Sequence, residues 1–241
     1  MINRETLKLS LAGTACSYRG TYGTKIPSHT IINNQDFIDL FGHQYFSGIH
    51  EDTVIIAFQG SYDLKDWVAD VMMAKQKIPY EGTREEVKVH NGFILQYLIL
   101  RESVTKKLNE LSKKVNPEYK KFIFTGHSLG GALATLAALD FEYHNPNENI
   151  ECATYGCPRV GNKGFVESYN KRVPSTWRVE YESDIITMAP PKFWGFEHVG
   201  EQLFIESKRC KFNPLRLIPN MYEHLLFNYI EKIEKDYGFI I

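Results

Sequence analysis

The chain has 241 residues, 43% of them hydrophobic, and 28 Lys plus Arg balance 29 Asp plus Glu for a net charge of −1. This length and apolar content allow one domain with a full core over 1–241, and no linker-like stretch divides it. The balanced charge leaves no footprint for nucleic acid, and no apolar run reaches the roughly 18 residues of a membrane-spanning helix.

At the N-terminus, Arg4 and Lys8 precede a short apolar run, 9–16, that faintly resembles an export leader. The run is short, Glu5 and Lys8 interrupt its approach, and no A-x-A site follows. Leu7, Leu11, Ala15 and Tyr18 recur at helical spacing, which predicts a structural helix instead. Without a clear leader, and with no N-x-S/T sequon anywhere, the sequence favours a cytoplasmic location.

Residues 21–34 are rich in Gly, Pro, Ser, Thr and Asn and read as loop; 36–41 read as a short helical turn. The continuous apolar run within 52–58 marks a strand buried on both faces, and it ends at Gln59-Gly60-Ser61. In the stretch 62–70, Leu64, Trp67 and Val68 share a helical face. They predict either a core-packed helix or a mobile amphipathic cover. A strand is expected at 87–89 and a long helix at 92–115, carried by Phe93, Tyr97, Leu100, Val104, Leu108 and Leu111. Pro117 is its expected stop, and Lys106, Lys107, Lys113 and Lys114 form its solvated side. Further strands are expected at 122–125, 150–155, 177–181 and 203–205. Helices are expected at 132–139, 163–169 and 222–235, the last turning Leu225, Leu226, Tyr229 and Ile233 inward. Strands alternating with helices predict an α/β fold, a mainly parallel central sheet covered on both faces.

Of the four cysteines, Cys16, Cys152, Cys157 and Cys210, none forms a C-x-x-C pair, so no metal site is expected. Cys152 and Cys157 fall in or just after a buried strand and read as small apolar residues. Reduced thiols are preferred to two disulfides.

Between the strand 122–125 and the helix 132–139 lies Gly126-His127-Ser128-Leu129-Gly130. Strand, G-x-S-x-G turn, helix is the nucleophile-elbow arrangement. A turn this tight exposes the serine hydroxyl in strained backbone geometry, and a side chain at either glycine would strike the neighbouring strand or helix. Serine is a poor nucleophile unless a histidine takes its proton and an acid orients that histidine. In this architecture both follow the serine, acid first. Asp184, just past the strand 177–181, is the preferred acid, with Glu182 as its rival. Asp140 and Asp236 read as solvated. His224, after the last strand, is the preferred base and His198 the alternative. His127 reads as a hydrogen-bonded structural side chain directed to the other side of the sheet.

These residues carry a resemblance. Phe58-Gln59-Gly60-Ser61 with Asp66-Trp67 and Asp70, Val89-His90-Asn91-Gly92-Phe93, Gly126–Ala132, Thr154–Asn162, and Asp184–Pro191 followed by Gly195-Phe196-Glu197-His198 resemble, in order, motifs of the class 3 (fungal-type) lipases of the α/β-hydrolase fold. The resemblance implies His224, in Glu223-His224-Leu225-Leu226-Phe227, as the base of a D-H-x-x-Y-like stretch, and gives His198 a structural role. It implies an oxyanion hole from Leu129 and Ser61. It also makes 62–70 a lid, with Asp70 anchoring Ser61 when the lid opens. Gln59 departs from the family, which usually has arginine there.

The expected function is therefore serine carboxylester hydrolysis of acyl lipids through Ser128, Asp184 and His224. No metal or organic cofactor is implied, and transient binding at a lipid–water interface is expected. A phospholipase A1, galactolipase or feruloyl-type esterase on the same triad stays open, as does a non-catalytic hydrolase-fold interaction protein.

Overall fold

The computed structural model describes residues 2–18, 32–61, 75–79, 85–181, 184–205 and 224–241. In chain order these form helix α1 (Arg4–Ser17), strands β1 (Asn33–Leu40), β2 (His43–His50), β3 (Thr53–Phe58), β4 (Lys75–Lys77) and β5 (Lys88–His90), helix α2 (Asn91–Ser112), strand β6 (Lys121–His127), helix α3 (Leu129–His144), strand β7 (Asn149–Tyr155), helix α4 (Lys163–Arg172), strands β8 (Thr176–Tyr181) and β9 (Glu201–Ile205), and helix α5 (Leu226–Tyr237). The expected cover at 62–70, the rival acid Glu182 and Cys210 lie outside the described residues.

Seven strands form one sheet in the order β1-β2-β3-β6-β7-β8-β9. The first two ladders are antiparallel and the remaining four, from β3 to β9, are parallel. The apolar runs explain why the middle of the sheet is buried twice. In β3, Val54, Ile56 and Phe58 face a core shared with α2 and α3, whereas Ile55 and Ala57 face one shared with α1 and α5. Phe122 and Phe124 of β6 join the first core and Ile123 the second. Period-two alternation thus operates within a continuous hydrophobic run, with helices covering both faces.

Helix α1 is built into the second core. Leu7, Leu11 and Ala15 are buried, and a Cβ on Gly13 would come within 2.8 Å of the Ile55 side chain, so only glycine permits this approach. Its polar residues are buried with partners: Ser10 Oγ lies 2.7 Å from the Tyr155 hydroxyl and Thr14 Oγ1 2.8 Å from Thr125 Oγ1.

Three expectations are corrected. Residues 36–41 are not a helical turn; most of them belong to β1, an exposed strand that among the described residues pairs only with β2 and is joined to it by Phe41-Gly42 at φ +56° and +82°. Polar side chains along the open edge hide the strand's alternation. Asp140 is buried rather than solvated. It accepts from the Tyr97 hydroxyl at 2.7 Å and from Arg101 Nε and a terminal guanidinium nitrogen at 2.8 and 2.9 Å, locking α3 to α2. Lys107 likewise is no free solvated cation. Its ammonium donates to Asp36 at 2.8 Å and Glu110 at 2.7 Å, tying α2 to β1, and these hydrogen bonds push its pKa up to about 12. Cys152 and Cys157 are buried free thiols, and burial pushes the Cys152 thiol up to about 12.

Candidate active site

The carboxyl ends of the parallel strands deliver the residues of interest. Ser61 follows β3, Ser128 follows β6, Gly156 follows β7 and Asp184 follows β8. In an open α/β sheet this edge is where ligands bind.

Ser128 sits at φ +59°, ψ −130°, a conformation that costs a non-glycine residue on the order of 1–3 kcal/mol. The surroundings hold it there. Its amide donates to Tyr155 O at 2.9 Å, and its carbonyl accepts from the Gly131 amide at 2.9 Å. A Cβ on Gly126 would overlap the Gly130 carbonyl group, and one on Gly130 would overlap the Phe58 carbonyl. The glycines of the motif are therefore required by close approach of strand and helix. Leu129 opens α3, and the first amides of a helix lack intrahelical acceptors. Leu129 and Ser61 line the same small cleft of about 160 Å³, together with Gly60, Gln59 and the hairpin residues Gly42 and Gln44. Gln59 is buried and its backbone amide donates to Gln44 O at 3.0 Å. A neutral amide there needs no buried counter-charge, unlike the family's arginine.

The structure brings His224 against Asp184. Imidazole Nδ1 donates to Asp184 Oδ2 at 2.7 Å, and both side chains are fully buried. The carboxylate is held from two more directions: the Tyr229 hydroxyl donates to the same Oδ2 at 2.6 Å, and the Ile186 amide donates to Oδ1 at 2.9 Å. Burial, then the Asp184 charge, raise the Tyr229 pKa well above the usual tyrosine value, so this hydroxyl stays a donor. Gly156, at φ +57°, leaves the space in which the pair meets. With Nδ1 engaged, Nε2 is the nitrogen left for chemistry. His224 Nε2 and Ser128 Oγ are both buried and neither has a hydrogen-bond partner.

His198 does other work. Its Nε2 donates to Thr187 O at 2.8 Å and lies 3.7 Å from Glu180. Burial, then the Arg178 charge, push its pKa down to about 3. Glu180 accepts from Arg178 and Gln202. His127 does not point away from the site: its Nε2 lies 2.6 Å from the backbone oxygen of His224 and the two rings are 4.5 Å apart. Tyr229 was legible in the sequence only as an inward apolar residue of the last helix. Phe227, which occupies the motif's tyrosine position, is 67% exposed. The displaced tyrosine two residues later was the available signal.

An elbow serine at the carboxyl edge of a mainly parallel sheet, with a buried Asp–His pair beside it, defines the class as an α/β-hydrolase. Residues 55–194 match the family model "Lipase (class 3)". The chain belongs to the class 3 lipase family. It is similar to a lipase of Rhizomucor miehei, 37% identical over 163 residues, covering 66% of this chain and 43% of that protein. It is also similar to a secreted mono- and diacylglycerol lipase A of Penicillium camembertii, 30% identical over 154 residues, covering 64% and 48%. The chain thus spans less than half the length of these relatives. Among solved structures, Rhizomucor miehei triacylglyceride lipase superimposes with a TM-score of 0.74 at 25% identity, over 93% of this chain and 94% of that one. A triacylglycerol lipase whose catalytic centre is described as a serine protease triad does so with a TM-score of 0.74 at 26% identity, over 92% of each chain.

The relatives overturn the preference for a cytoplasmic location, since several at about 30% identity are named as secreted enzymes. The physical reason is that residues 4–17 are a core helix, so the weakness of their leader signal carries no information about compartment. No helix among the described residues is long and apolar enough to cross a membrane.

Proposed function

We propose that residues 1–241 act as one hydrolase domain that cleaves acyl-glycerol esters through an acyl-enzyme on Ser128. The observation that carries this reading is the pair of buried, unpartnered reactive atoms, Ser128 Oγ and His224 Nε2, with His224 already oriented by Asp184. Buried polar atoms are nearly always paired, so two left open at the fold's ligand-binding edge call for a reacting group.

His224 Nε2 takes the hydroxyl proton as Oγ attacks the ester carbonyl. Asp184 holds the Nδ1–H tautomer and stabilises the imidazolium. The Leu129 and Ser61 amides receive the oxyanion, a contribution typically worth about 10²–10³ in turnover per donor. His224 then protonates the departing alcohol, and water repeats the sequence on the acyl-enzyme. The names of the relatives support acyl glycerols as the substrate class. Ser128 is completely shielded from solvent in this resting form, so entry of an acyl chain requires an opening motion, and a lipid–water interface is the surface that favours it.

Ser128→Ala should keep the fold and lower turnover on the order of 10⁴-fold or more. A serine-directed phosphonate should label Ser128 alone, measured by intact mass and peptide mapping. Labelling elsewhere with Ser128 unmodified would remove the elbow serine from the mechanism. Tributyrin hydrolysis measured across the solubility limit should rise steeply at the limit. A smooth hyperbola would leave a hydrolase indifferent to interfaces.

A further inference from the structure

We propose that His127, the residue before the nucleophile, and Tyr18 are positioning residues that join the oxyanion strand to the loop carrying the base through one directional hydrogen-bond chain. The proposal rests on the hydrolase reading above for its consequence, but not for its geometry.

The Gly60 amide, one residue before Ser61, donates to the Tyr18 hydroxyl oxygen at 2.9 Å. That hydroxyl lies 3.2 Å from His127 Nδ1, and His127 Nε2 lies 2.6 Å from the His224 backbone oxygen. Tyr18, His127 and His224 are all buried. Elementary donor–acceptor chemistry fixes the direction of every link. A carbonyl oxygen only accepts, so His127 carries its proton on Nε2. Burial, then the nearby His224, hold the His127 pKa well below the usual histidine value, so the ring is neutral. A neutral ring protonated at Nε2 leaves Nδ1 as acceptor. The Tyr18 hydroxyl therefore donates to Nδ1 and accepts from Gly60.

The chain reaches both halves of the site without touching a reacting atom. The rings of His127 and His224 pack at 4.5 Å and 31°, so the same imidazole also sets the plane of the base. There is no slack at the other end: a Cβ on Gly60 would fall 2.5 Å from the Tyr18 hydroxyl and 3.1 Å from Ser128 Cβ. Helix α1, distant in sequence from the elbow, thereby enters the active site as its rear support.

Two measurements test this. In wild-type protein labelled with ¹⁵N-histidine, the His127 resonances are assigned by their loss in His127→Gln. They should report a neutral ring at pH 7 with the proton on Nε2; the opposite tautomer, or a charged ring, overturns the proposal whatever the protein hydrolyses. The second is kinetic. Gln at 127 retains a donor for the His224 carbonyl and loses the acceptor for Tyr18, while Asn retains the acceptor and loses the donor. Tyr18→Phe and His127→Gln should each lower kcat roughly tenfold at unchanged KM, since a small misplacement of catalytic groups costs up to about 10². Both cut the Tyr18–His127 link, and Tyr18→Phe also cuts the link to Gly60, so their double variant should lose far less than the product of the two single losses. His127→Asn should instead shift the acidic limb of the kcat/KM profile, which reports the base. Losses that multiply in the double variant, or a Tyr18→Phe enzyme with kcat within about twofold of wild type, overturn the proposal. A wild-type protein inert on every ester would sink the hydrolase reading, and the tautomer would still decide the chain of bonds.

Discussion

Gly156 shows how little room the Asp184–His224 contact has. A Cβ there would lie 2.7 Å from Asp184 Oδ2 and 2.9 Å from His224 Nδ1, at a φ of +57°. Gly156→Ala should therefore harm the protein twice: left-handed backbone costs alanine about 1–2 kcal/mol of stability, and displacement of the pair should lower kcat on the order of 10²-fold. Urea unfolding and ester hydrolysis measure the two separately. A destabilised variant with full kcat would mean that the Asp184–His224 contact is not the one used in turnover. At this scale the sequence was informative where chemistry needs a local pattern. Ser128 stands in a motif whose spacing follows from steric contact between its own glycines and the adjacent strand. Tyr229 was not legible, because its hydroxyl meets Asp184 across 45 residues and no periodicity encodes such a meeting. The same holds for His127, whose partner lies 97 residues away.

The β1–β2 hairpin is the element that sequence reasoning lost, and the turn explains both the loss and a test. Two successive positive φ values, +56° at Phe41 and +82° at Gly42, are the signature of a type I′ turn. Asn or Gly is favoured at the first position; phenylalanine gives no such signal and is strained there. Asp39 Oδ1 accepts from the Gly42 amide at 2.9 Å and holds the turn closed despite the strain. Phe41 is 93% exposed, so its side chain contributes almost no packing. Phe41→Asn should stabilise the protein by about 0.5–1 kcal/mol, read as a higher urea midpoint at an unchanged slope. A lower midpoint would mean the side chain supports the hairpin after all. The buried strands needed no such help: β3 and β6 announced themselves because a strand covered on both faces is apolar throughout, whereas an edge strand such as β1 shows neither continuity nor clean alternation.

Across the whole molecule, two cores share one sheet, and the site sits where β3, β6, β7 and β8 end between them. The segment that follows Asp184 depends on a histidine outside the Asp184–His224 pair. His198 donates to Thr187 O, and the Thr187 hydroxyl donates to Asp184 O at 2.8 Å, so the short helical turn behind the acid hangs on a neutral imidazole. That ring's pKa is pushed down to about 3 by burial and then by Arg178. An unfolded chain takes up the proton near pH 6.5, whereas the folded one refuses it until far lower pH. The unfolded state thus binds more protons throughout that window, and stability falls as pH falls. The full contribution is present above about pH 6.5 and is lost towards about pH 3, at up to about 1.4 kcal/mol per pH unit. Carboxylates titrate over the same range, so the measurement is the difference between wild type and His198→Gln, which can keep a donor for Thr187 but has nothing to protonate. His198→Gln should lose stability less steeply than wild type between about pH 6.5 and pH 4 in urea titrations, with the two curves converging or crossing as pH falls. Parallel curves would show that the ring is not held neutral, and acid inactivation would then have to begin elsewhere than behind Asp184.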